Sequence, residues 1–298
     1  MYYKDIIEAV GHTPLVEMTR ISPNKKVRIL AKLEGQNPGG SASIKDRIAV
    51  YMLRQAEQSG ELTKDKTIIE ATSGNTGIAI AWLGHKLGYK VTIVMPDSMS
   101  QERQQLLKIH NAELILTDGA YGMKAAMDTA GELAAKDNRY YMPNQFANPA
   151  NPQAHYETTA VEILKDFPYD KIDVLIAGIG TGGTLMGISR RLKEAYPNIR
   201  VIGVEPVPGD SIQGLKCLGE ALPPFWNPAL ITEKVTVTSQ QAAEATRQLM
   251  EKEGIFAGLS SGAVAHQAVK VASEMDKVNI VVVLADGGWK YLSLNLWR

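Results

Sequence analysis

The sequence predicts an α/β fold in which helices cover both faces of parallel sheets. Short β-branched runs alternate with longer amphipathic stretches along the 298 residues. Several runs are apolar throughout, which is typical of parallel strands buried on both faces. Repeated strand–helix units imply the same arrangement. The predicted strands are 27–33, 67–70, 90–95, 113–116, 174–177, 201–205, 234–237 and 279–284. The predicted helices are 45–59, 76–87, 101–109, 121–135, 154–165, 184–195 and 240–253.

One break in this alternation divides the chain. Asn, Ala, Pro and Gln residues at 143–152 interrupt the succession of strands and helices, and a second series begins after them. We therefore predict two lobes, each with three α/β/α layers around a mostly parallel, twisted sheet. The smaller, mobile lobe comprises 40–146, and the larger lobe comprises 1–39 and 147–298. Ligands of open α/β sheets bind at the carboxyl ends of strands, so we expect the site in the cleft between the lobes.

The composition fits a globular enzyme and excludes several other classes of protein. Lys+Arg and Asp+Glu balance at 32 each, which gives no basic field for binding nucleic acid. The N-terminus has no signal-peptide pattern, and the longest apolar run, 280–285, is far shorter than the roughly 20 residues of a membrane span. The one cysteine, Cys217, excludes a disulfide within the chain and suits a reducing compartment, so we expect a cytoplasmic protein.

A glycine-rich segment follows one of the predicted strands. Residues 178–184 read Gly-Ile-Gly-Thr-Gly-Gly-Thr and open a helix, so their N–H groups can bind a phosphate at the positive end of the helix dipole. Gly178, Gly180 and Gly183 also satisfy the G-x-G-x-x-G fingerprint. Since Glu205 ends the next strand, a dinucleotide-binding fold is an alternative. The density of glycine and the two hydroxyl groups favour a terminal phosphate.

A second anion site is predicted at 72–77, again between a strand and a helix. The residues read Thr-Ser-Gly-Asn-Thr-Gly. A helix cap needs only one such residue, whereas five small or hydrogen-bonding positions in a row favour a bound carboxylate. A ligand that carries both a phosphate and a carboxylate explains both sites. An amino acid joined to pyridoxal phosphate (PLP) is such a ligand.

Two further segments open helices. Lys45 follows the predicted cap Ser43 and falls in the first helical turn, where the dipole is expected to lower the pKa of the lysine. The neutral amine that results is the form that makes a Schiff base. Residues 258–262 read Gly-Leu-Ser-Ser-Gly and by themselves indicate only a helix cap.

Together these segments resemble the fold-type II PLP enzymes and, within them, the cysteine synthase family, closest to its B branch. The resemblance covers nearly the whole chain and implies two α/β/α lobes like those of tryptophan synthase β. Each motif alone is modestly specific, but all of them in this order are highly specific. The resemblance also rests on further motifs, which are 11–16 (GHTPLV), 37–47, 99–103 (MSQER), Gln145-Phe146 with Asn148, and Asp286 with 291–293.

The resemblance implies a role for each segment. Lys45 would form the internal aldimine with PLP and act as acid and base at the substrate α-carbon. Asn75 would hydrogen-bond the ring oxygen of the cofactor. Ser260 would face the pyridine nitrogen, where a hydroxyl does not stabilise a protonated ring and therefore suits β-elimination. The cofactor phosphate would be held by Gly180, Thr181, Gly182, Gly183 and Thr184. The substrate carboxylate would be bound by Thr72, Ser73, Gly74, Thr76 and Gln145. No metal is implied.

The implied reaction is a β-replacement that makes L-cysteine. An activated serine, O-acetylserine or O-phosphoserine, loses its leaving group to give an α-aminoacrylate. A sulfur donor, such as sulfide or thiosulfate, then adds to the β-carbon. Closure of 72–77 on the carboxylate would shield the intermediate from water. The resemblance also suggests a homodimer.

The sequence departs from the family pattern at two places and leaves rival activities open. The loop before Lys45 is two residues longer than the commonest form, and Lys290 stands where the family has arginine. The same scaffold serves cystathionine β-synthase, threonine synthase and serine dehydratase. The lack of an added regulatory domain disfavours cystathionine β-synthase. The motif at 99–103 and the context of Gln145 favour cysteine synthase over threonine synthase and serine dehydratase. A nicotinamide dehydrogenase would leave Lys45 unexplained. We also hypothesise that Lys216 attracts an anionic sulfur donor.

Overall fold

Apart from the side chain of Glu102, the computed structural model describes residues 2–72, 74–98, 101–219 and 222–297. Ser73, which is predicted to bind substrate, lies outside these residues. So do Met99 and Ser100 of the Met-Ser-Gln-Glu-Arg motif.

The described elements follow the predicted alternation of strands and helices. In chain order the strands are β1 (Leu15–Glu17), β2 (Arg28–Leu33), β3 (Thr67–Ala71), β4 (Lys90–Pro96), β5 (Glu113–Thr117), β6 (Tyr140–Tyr141), β7 (Val174–Gly178), β8 (Arg200–Pro206), β9 (Glu233–Val237) and β10 (Asn279–Leu284). The helices are α1 (Lys45–Ser59), α2 (Asn75–Lys86), α3 (Gln101–Ile109), α4 (Gly122–Lys136), α5 (Ala150–Ala154), α6 (Ala160–Asp166), α7 (Gly183–Ala195), α8 (Ser239–Glu253) and α9 (Leu259–Glu274). Every predicted strand recurs, whereas the short strands β1 and β6 were not predicted.

The chain divides into two compact units. Unit 1 combines the residues up to Val10 with Asn37–Ala150, and unit 2 combines Gly11–Gln36 with the residues from Asn151 onward. The sequence-based boundaries at 40 and 146 fall within a few residues of this division.

The N-terminal residues differ from the sequence prediction, which placed 1–39 in the larger lobe. Ile7 is buried in the hydrophobic core of unit 1. Asp5 forms an ion pair with Lys86 of the same unit, with 2.8 Å between Oδ2 and Nζ. Because burial of apolar surface decides where a terminal segment packs, the first ten residues belong to unit 1. The mobility of the smaller lobe stays a prediction.

Unit 1 is built on a parallel sheet. Within the described residues the strand order is β5-β4-β3-β6, and each neighbouring pair is parallel. Successive side chains of β3 enter opposite cores. Ile68 packs into the core that includes residues of α1, α2 and α3, and Ile69 packs into the core that includes residues of α4. Unit 1 therefore has the three predicted layers.

Unit 2 contains the larger sheet. Over the described part of the chain its strand order is β1-β2-β10-β7-β8-β9, with β1 antiparallel to β2 and the other neighbours parallel. On one face, Val174 of β7 shares a core with Leu249 of α8 and Ala263 of α9. On the other face, Leu185 of α7 lies so close to Gly203 of β8 that an added Cβ would come within 2.8 Å. The predicted α/β class with mostly parallel sheets is confirmed.

The helix predicted at 154–165 is interrupted by a wider turn. The structure has α5, then a π-helical turn at His155–Thr159, then α6. Thr158 Oγ1 donates to the Ala154 carbonyl at 2.6 Å and so satisfies an acceptor that a regular helix would pair with a backbone N–H. Short apolar patterning does not reveal such a turn, and it proves important for the site.

Candidate active site

Lys45 is the first residue of α1, as predicted, and is half-buried. Ser43 supports the start of the helix, because its Oγ accepts the Lys45 N–H at 3.1 Å. The residue in the N-cap position itself is Ile44. Ser43, the predicted cap, therefore lies one residue before the observed N-cap, but its side chain still binds the first turn of the helix.

Asp46 organises the long loop before Lys45, a role that sequence reasoning missed. Its buried carboxylate accepts hydrogen bonds from Ser41 N at 3.0 Å, Ser41 Oγ at 2.8 Å and Ser43 N at 3.1 Å. An added Cβ on Gly39 would lie 2.5 Å from Asp46 Cγ, so only glycine fits there. The longer loop is thus wound around one carboxylate next to the lysine.

The segment from Thr72 to Thr76 connects β3 to α2 in the same unit. Gly74 occupies the N-cap position, and its N–H donates to Thr72 Oγ1 at 3.3 Å. Since the cap residue has no side chain, the start of α2 keeps the character of an anion site. Thr76 Oγ1 donates to Gln145 Oε1 at 2.7 Å, and both residues are buried. The structure therefore brings together the predicted carboxylate residues Thr72, Gly74, Thr76 and Gln145, with Asn75 among them.

The glycine-rich loop of unit 2 is packed so closely that larger residues would not fit. Gly182 has a φ of 84° and lies at the N-cap position of α7. A Cβ on Gly180 would lie 2.7 Å from the Gly214 carbonyl oxygen, and one on Gly183 would lie 2.0 Å from Asn151 Oδ1. The dense glycines therefore have a steric cause, and they leave backbone N–H groups lining the start of a helix.

Side chains from α5 and the π-helical turn hold the two threonines of this loop. Asn151 Nδ2 donates to Thr181 Oγ1 at 2.9 Å. The fully buried His155 hydrogen-bonds Thr184 Oγ1 through Nε2 at 3.2 Å and Thr159 Oγ1 through Nδ1 at 3.0 Å. Sequence reasoning missed both supporting residues, because no short motif links them to a loop some 30 positions away.

Ser260 lies in the first turn of α9 and is buried. Gly214, with a φ of 94°, lies beside it, since an added Cβ would be 3.2 Å from Ser260 Oγ. Because the Gly214 carbonyl also contacts Gly180, unit 2 brings Ser260 and the glycine-rich loop together around one glycine. Gly214 was not predicted as part of the site.

Asp286 and Lys290 form a buried cluster next to the start of α9. Tyr291 Oη donates to Asp286 Oδ2 at 2.7 Å, and Lys290 Nζ lies 3.8 Å from the same oxygen. An added Cβ on Gly258 would lie 2.2 Å from Asp286 Oδ1, so this cluster abuts the residue that caps α9. Lys290, which replaces the family's arginine, therefore still pairs with the neighbouring carboxylate.

Glu205 has partners that disfavour a role in dinucleotide binding. Its carboxylate lies 3.5 Å from Lys234 Nζ and accepts the Leu218 N–H at 3.4 Å. Lys216, two residues earlier, donates its N–H to the Ile179 carbonyl at 2.8 Å. The Lys216 side chain reaches the surface, and partial desolvation by the surrounding protein lowers its pKa.

The described residues contain neither a metal cluster nor a membrane-spanning helix. Among them, no group of three or more His, Cys, Asp and Glu residues could hold a metal ion. In the same part of the chain, none of the helices combines the length and apolarity needed to cross a membrane.

Comparison with known proteins adds independent evidence. A family model described as pyridoxal-phosphate dependent enzyme matches residues 6–286. A cysteine synthase of Staphylococcus aureus is 41% identical over 98% of this chain and 96% of its own length. A hydrogen sulfide-producing enzyme from Fusobacterium nucleatum is 43% identical, with a TM-score of 0.91 over 97% of this chain and 100% of that one. An O-acetylserine dependent cystathionine beta-synthase from Helicobacter pylori is 36% identical, with a TM-score of 0.91 over 98% of each chain.

Fold and sequence agree on the class, which is that of the fold-type II enzymes dependent on PLP. Within this class, the chain belongs to the cysteine synthase family.

The residues present fit the cofactor that this family uses. In unit 2, the glycine-rich loop leaves no room for Cβ atoms and places N–H groups and two threonines at the start of α7, as a phosphate requires. The Ser260 hydroxyl lies beside Gly214, whose carbonyl approaches Gly180 of this loop. In unit 1, Lys45 supplies a primary amine at the start of a helix. PLP provides a carbonyl group for the amine and a ring that accepts electrons.

Proposed function

We propose that the protein makes L-cysteine by β-replacement, from O-acetylserine and sulfide. The observation that carries the proposal is the pairing of Thr76 with Gln145 at the start of α2. This pairing supports a carboxylate site in addition to the phosphate loop, as an amino-acid enzyme needs and a dinucleotide enzyme does not. The cysteine synthase relative, 41% identical over nearly the whole length, supports the same activity.

Each group of residues then has a chemical task. Thr72, Ser73, Gly74, Thr76 and Gln145 bind the substrate carboxylate, and Asn75 binds the ring oxygen of the cofactor. Gly180, Thr181, Gly182, Gly183 and Thr184 hold the phosphate. When bound, PLP supplies the electron sink that lowers the barrier to removing the α-proton.

Lys45 carries out the proton transfers. Its amine holds the cofactor in the resting enzyme, removes the α-proton of the substrate and returns a proton after the sulfur nucleophile has added to the β-carbon. The Ser260 hydroxyl would hydrogen-bond the ring nitrogen of the bound cofactor without stabilising a positive charge there, which would suit loss of the β-substituent rather than a long-lived carbanion.

Lys45 can be tested with the visible spectrum and an activity assay. We expect the purified protein to show a visible absorption band that shifts to longer wavelength when O-acetylserine is added, and to form cysteine when sulfide follows. Lys45→Ala should lose turnover by about 10²–10⁴-fold, since it removes the acid and base. Lys108→Ala, a change at an exposed lysine of unit 1, is the matched control. Full turnover in Lys45→Ala would refute the assignment.

The leaving group and the sulfur donor can be compared in the same assay. O-phosphoserine and thiosulfate carry more negative charge than O-acetylserine and sulfide. Lys216, with a pKa lowered by desolvation, is the residue to test for preference among them. If Lys216 attracts an anionic donor, Lys216→Ala should raise the KM for thiosulfate more than the KM for sulfide. Equal KM values in both proteins would contradict this role.

A second candidate activity is release of sulfide from cysteine. It is favoured by the 43% identical hydrogen sulfide-producing enzyme of known structure. The same residues would serve, because breaking the Cβ–S bond of cysteine reverses the last step proposed above. Incubation with cysteine and a second thiol should yield sulfide and a thioether. A rate below one hundredth of the rate of cysteine synthesis would leave synthesis as the main activity.

Two further expectations concern the protein as a whole. The homodimer suggested by the family resemblance stays a prediction that sedimentation velocity would test. The cytoplasmic location also stays a prediction, which fractionation of cells producing the protein would test.

A further inference from the structure

Glu70 is a carboxyl group in the core of unit 1. It lies on β3, is in register with Ile93 of β4, and exposes 3% of its surface. Within the described residues it forms no ion pair with a lysine or arginine. A buried carboxyl group destabilises a fold unless its hydrogen-bonding capacity is used. Its contacts therefore indicate what the residue does.

The partners of Glu70 are backbone N–H groups of the loop that follows β6. Asn144 N donates to Glu70 Oε2 at 3.0 Å, and the backbone of Gln145 donates to the same carboxyl group. Asn144 has a φ of 50°, a left-handed conformation that asparagine tolerates better than most residues. This bend lets two successive N–H groups point at one carboxyl group. Glu70 thus fixes the direction in which the chain enters Gln145.

The side chain of Gln145 extends this arrangement to the start of α2. Its Oε1 accepts the hydrogen bond from Thr76 at 2.7 Å. Directly after the end of β3, Thr72 follows Glu70 by two residues, and its N–H donates to the Val94 carbonyl at 3.1 Å. Glu70 therefore connects the strand that leads into the carboxylate site with the loop that supplies Gln145.

We infer that Glu70 is a positioning residue that aligns Gln145 to receive the carboxylate of the amino-acid substrate. This inference rests on the proposed function. Glu70 itself does not bind the substrate, because it is buried beneath the loop and its contacts are backbone groups. Its loss should weaken binding of the amino-acid substrate and leave binding of the sulfur donor unchanged.

Three variants separate this role from a merely structural one. Glu70→Ala removes both acceptors, and Glu70→Asp moves the carboxyl group back by one methylene. Glu70→Gln keeps an acceptor oxygen at the same distance along the side chain. The matched control is Glu113→Gln on β5, an exposed carboxylate whose contact is Thr92 Oγ1 at 3.3 Å.

The measurements are the KM values for O-acetylserine and sulfide and the spectral titration of the PLP-loaded protein with O-acetylserine. We expect Glu70→Ala and Glu70→Asp to raise the KM for O-acetylserine by about tenfold or more. Loss of one hydrogen bond from Gln145 to the charged carboxylate of the substrate commonly has an effect of this size. The KM for sulfide should stay unchanged. Glu70→Gln should restore most of the affinity.

The outcomes distinguish the inference from the proposed function. If the wild type and Glu113→Gln show no spectral response to O-acetylserine, the proposed function fails. If they respond and the folded Glu70 variants respond with the same affinity, the inference is wrong. An equal rise of both KM values would also overturn it, because it would indicate general loosening of the fold. If Glu70→Ala does not fold, Glu70→Asp provides the test. An unchanged affinity of Glu70→Asp for O-acetylserine would then contradict the inference.

Discussion

At Gly180 the backbone of the phosphate loop passes so close to Gly214 that a methyl group would meet its carbonyl oxygen at 2.7 Å. Neither partner is a flexible side chain, so Gly180→Ala must displace the loop. We expect the dissociation constant for PLP to rise by about tenfold or more, equivalent to about 1.4 kcal/mol. Titration of the cofactor-free protein with PLP measures it.

Gly131→Ala is the control for this substitution. Gly131 lies inside α4, and over the described residues no heavy atom comes within 4 Å of an added Cβ. Alanine restricts the unfolded chain more than glycine does, so this variant should be stabilised by about 0.5–1 kcal/mol. Its PLP affinity should equal that of the wild type. If Gly180→Ala bound PLP as tightly as the wild type, the loop would be able to move away from Gly214 without weakening the phosphate site.

Glu70 gives a pH dependence that can be measured separately from activity. Burial raises the pKa of Glu70 to about 8, despite the opposing effect of the Asn144 and Gln145 N–H groups. The nearby Tyr141 stays neutral over this range, since burial and the charges of Glu61 and Glu70 raise its pKa to about 12. Between its ordinary value of 4.5 and about 8, Glu70 keeps a proton in the folded protein that the unfolded chain has lost.

Stability contributed by the protonated group is therefore lost as the pH rises through this window. Glu70→Gln has no such dependence. The free energy of unfolding of Glu70→Gln minus that of the wild type should therefore increase by up to about 5 kcal/mol between about pH 4.5 and pH 8. Above about pH 8 the difference should stay constant. Urea unfolding of both proteins across this range measures the difference. A constant difference would contradict the raised pKa.

At the scale of single residues, the sequence predicted the residues that would contact cofactor or substrate better than the residues that hold those in place. Lys45, Thr76 and the glycine-rich loop belong to local motifs whose residue types are set by the chemistry. Asp46 and Asn151 were missed because their importance depends on which backbone groups approach them in the folded chain. The roles of the predicted residues stay proposals until variants are assayed.

Among the elements, α8 has both of its ends defined by side chains or glycine. Thr238 Oγ1 accepts the Gln241 N–H at 3.1 Å, and the Gln241 side chain accepts the Thr238 N–H at 2.9 Å. Gly254 ends the helix with a φ of 68°. Thr238→Ala removes half of this capping box, so we expect a loss of about 1 kcal/mol in the free energy of unfolding. Urea denaturation measures this loss.

The control for the cap is Gln240→Ala. Gln240 is exposed in the same helical turn and does not take part in the capping box. Alanine is a slightly better helix former than glutamine, so this variant should be as stable as the wild type or slightly more so. A similar loss in both variants would mean that the cap contributes little.

Elements with strong local signals were predicted well, and elements held by tertiary contacts were not. The helix at 45–59 has an apolar face and a terminating Gly60 with a φ of 78°, and its bounds agree with the prediction. β6 has two residues and exists because it pairs with β3. The π-helical turn depends on Thr158 and on the close approach of Gly187, where an added Cβ would lie 2.7 Å from His155 Cβ.

At the scale of the whole molecule, the order of strands could not be read from the sequence. β10 is the last strand in the chain but lies between β2 and β7, so the centre of the larger sheet joins opposite ends of the sequence. Apolar patterning identifies each strand without naming its partners. The resemblance to a known family supplied the arrangement that local patterns lack.

The phosphate loop exists only in the folded chain, which links cofactor binding to global stability. Asn151, Gly180 and Gly214 meet there although they are far apart in sequence. PLP should therefore bind the folded protein and not the unfolded chain. At a free PLP concentration of about 100 times its Kd, the free energy of unfolding should rise by about 2.7 kcal/mol. Removing the cofactor by dialysis should reverse this gain.

Urea unfolding of the cofactor-free protein at several PLP concentrations measures this linkage. The midpoint should increase with the logarithm of the concentration once it exceeds Kd. In Gly180→Ala the same increase should require a higher concentration, in proportion to its weaker binding, whereas Gly131→Ala should follow the wild type. If the midpoint of the wild type does not change with PLP, the glycine-rich loop does not hold the cofactor in the way proposed. If Gly180→Ala responds like the wild type, the close contact with Gly214 is not what shapes the phosphate site.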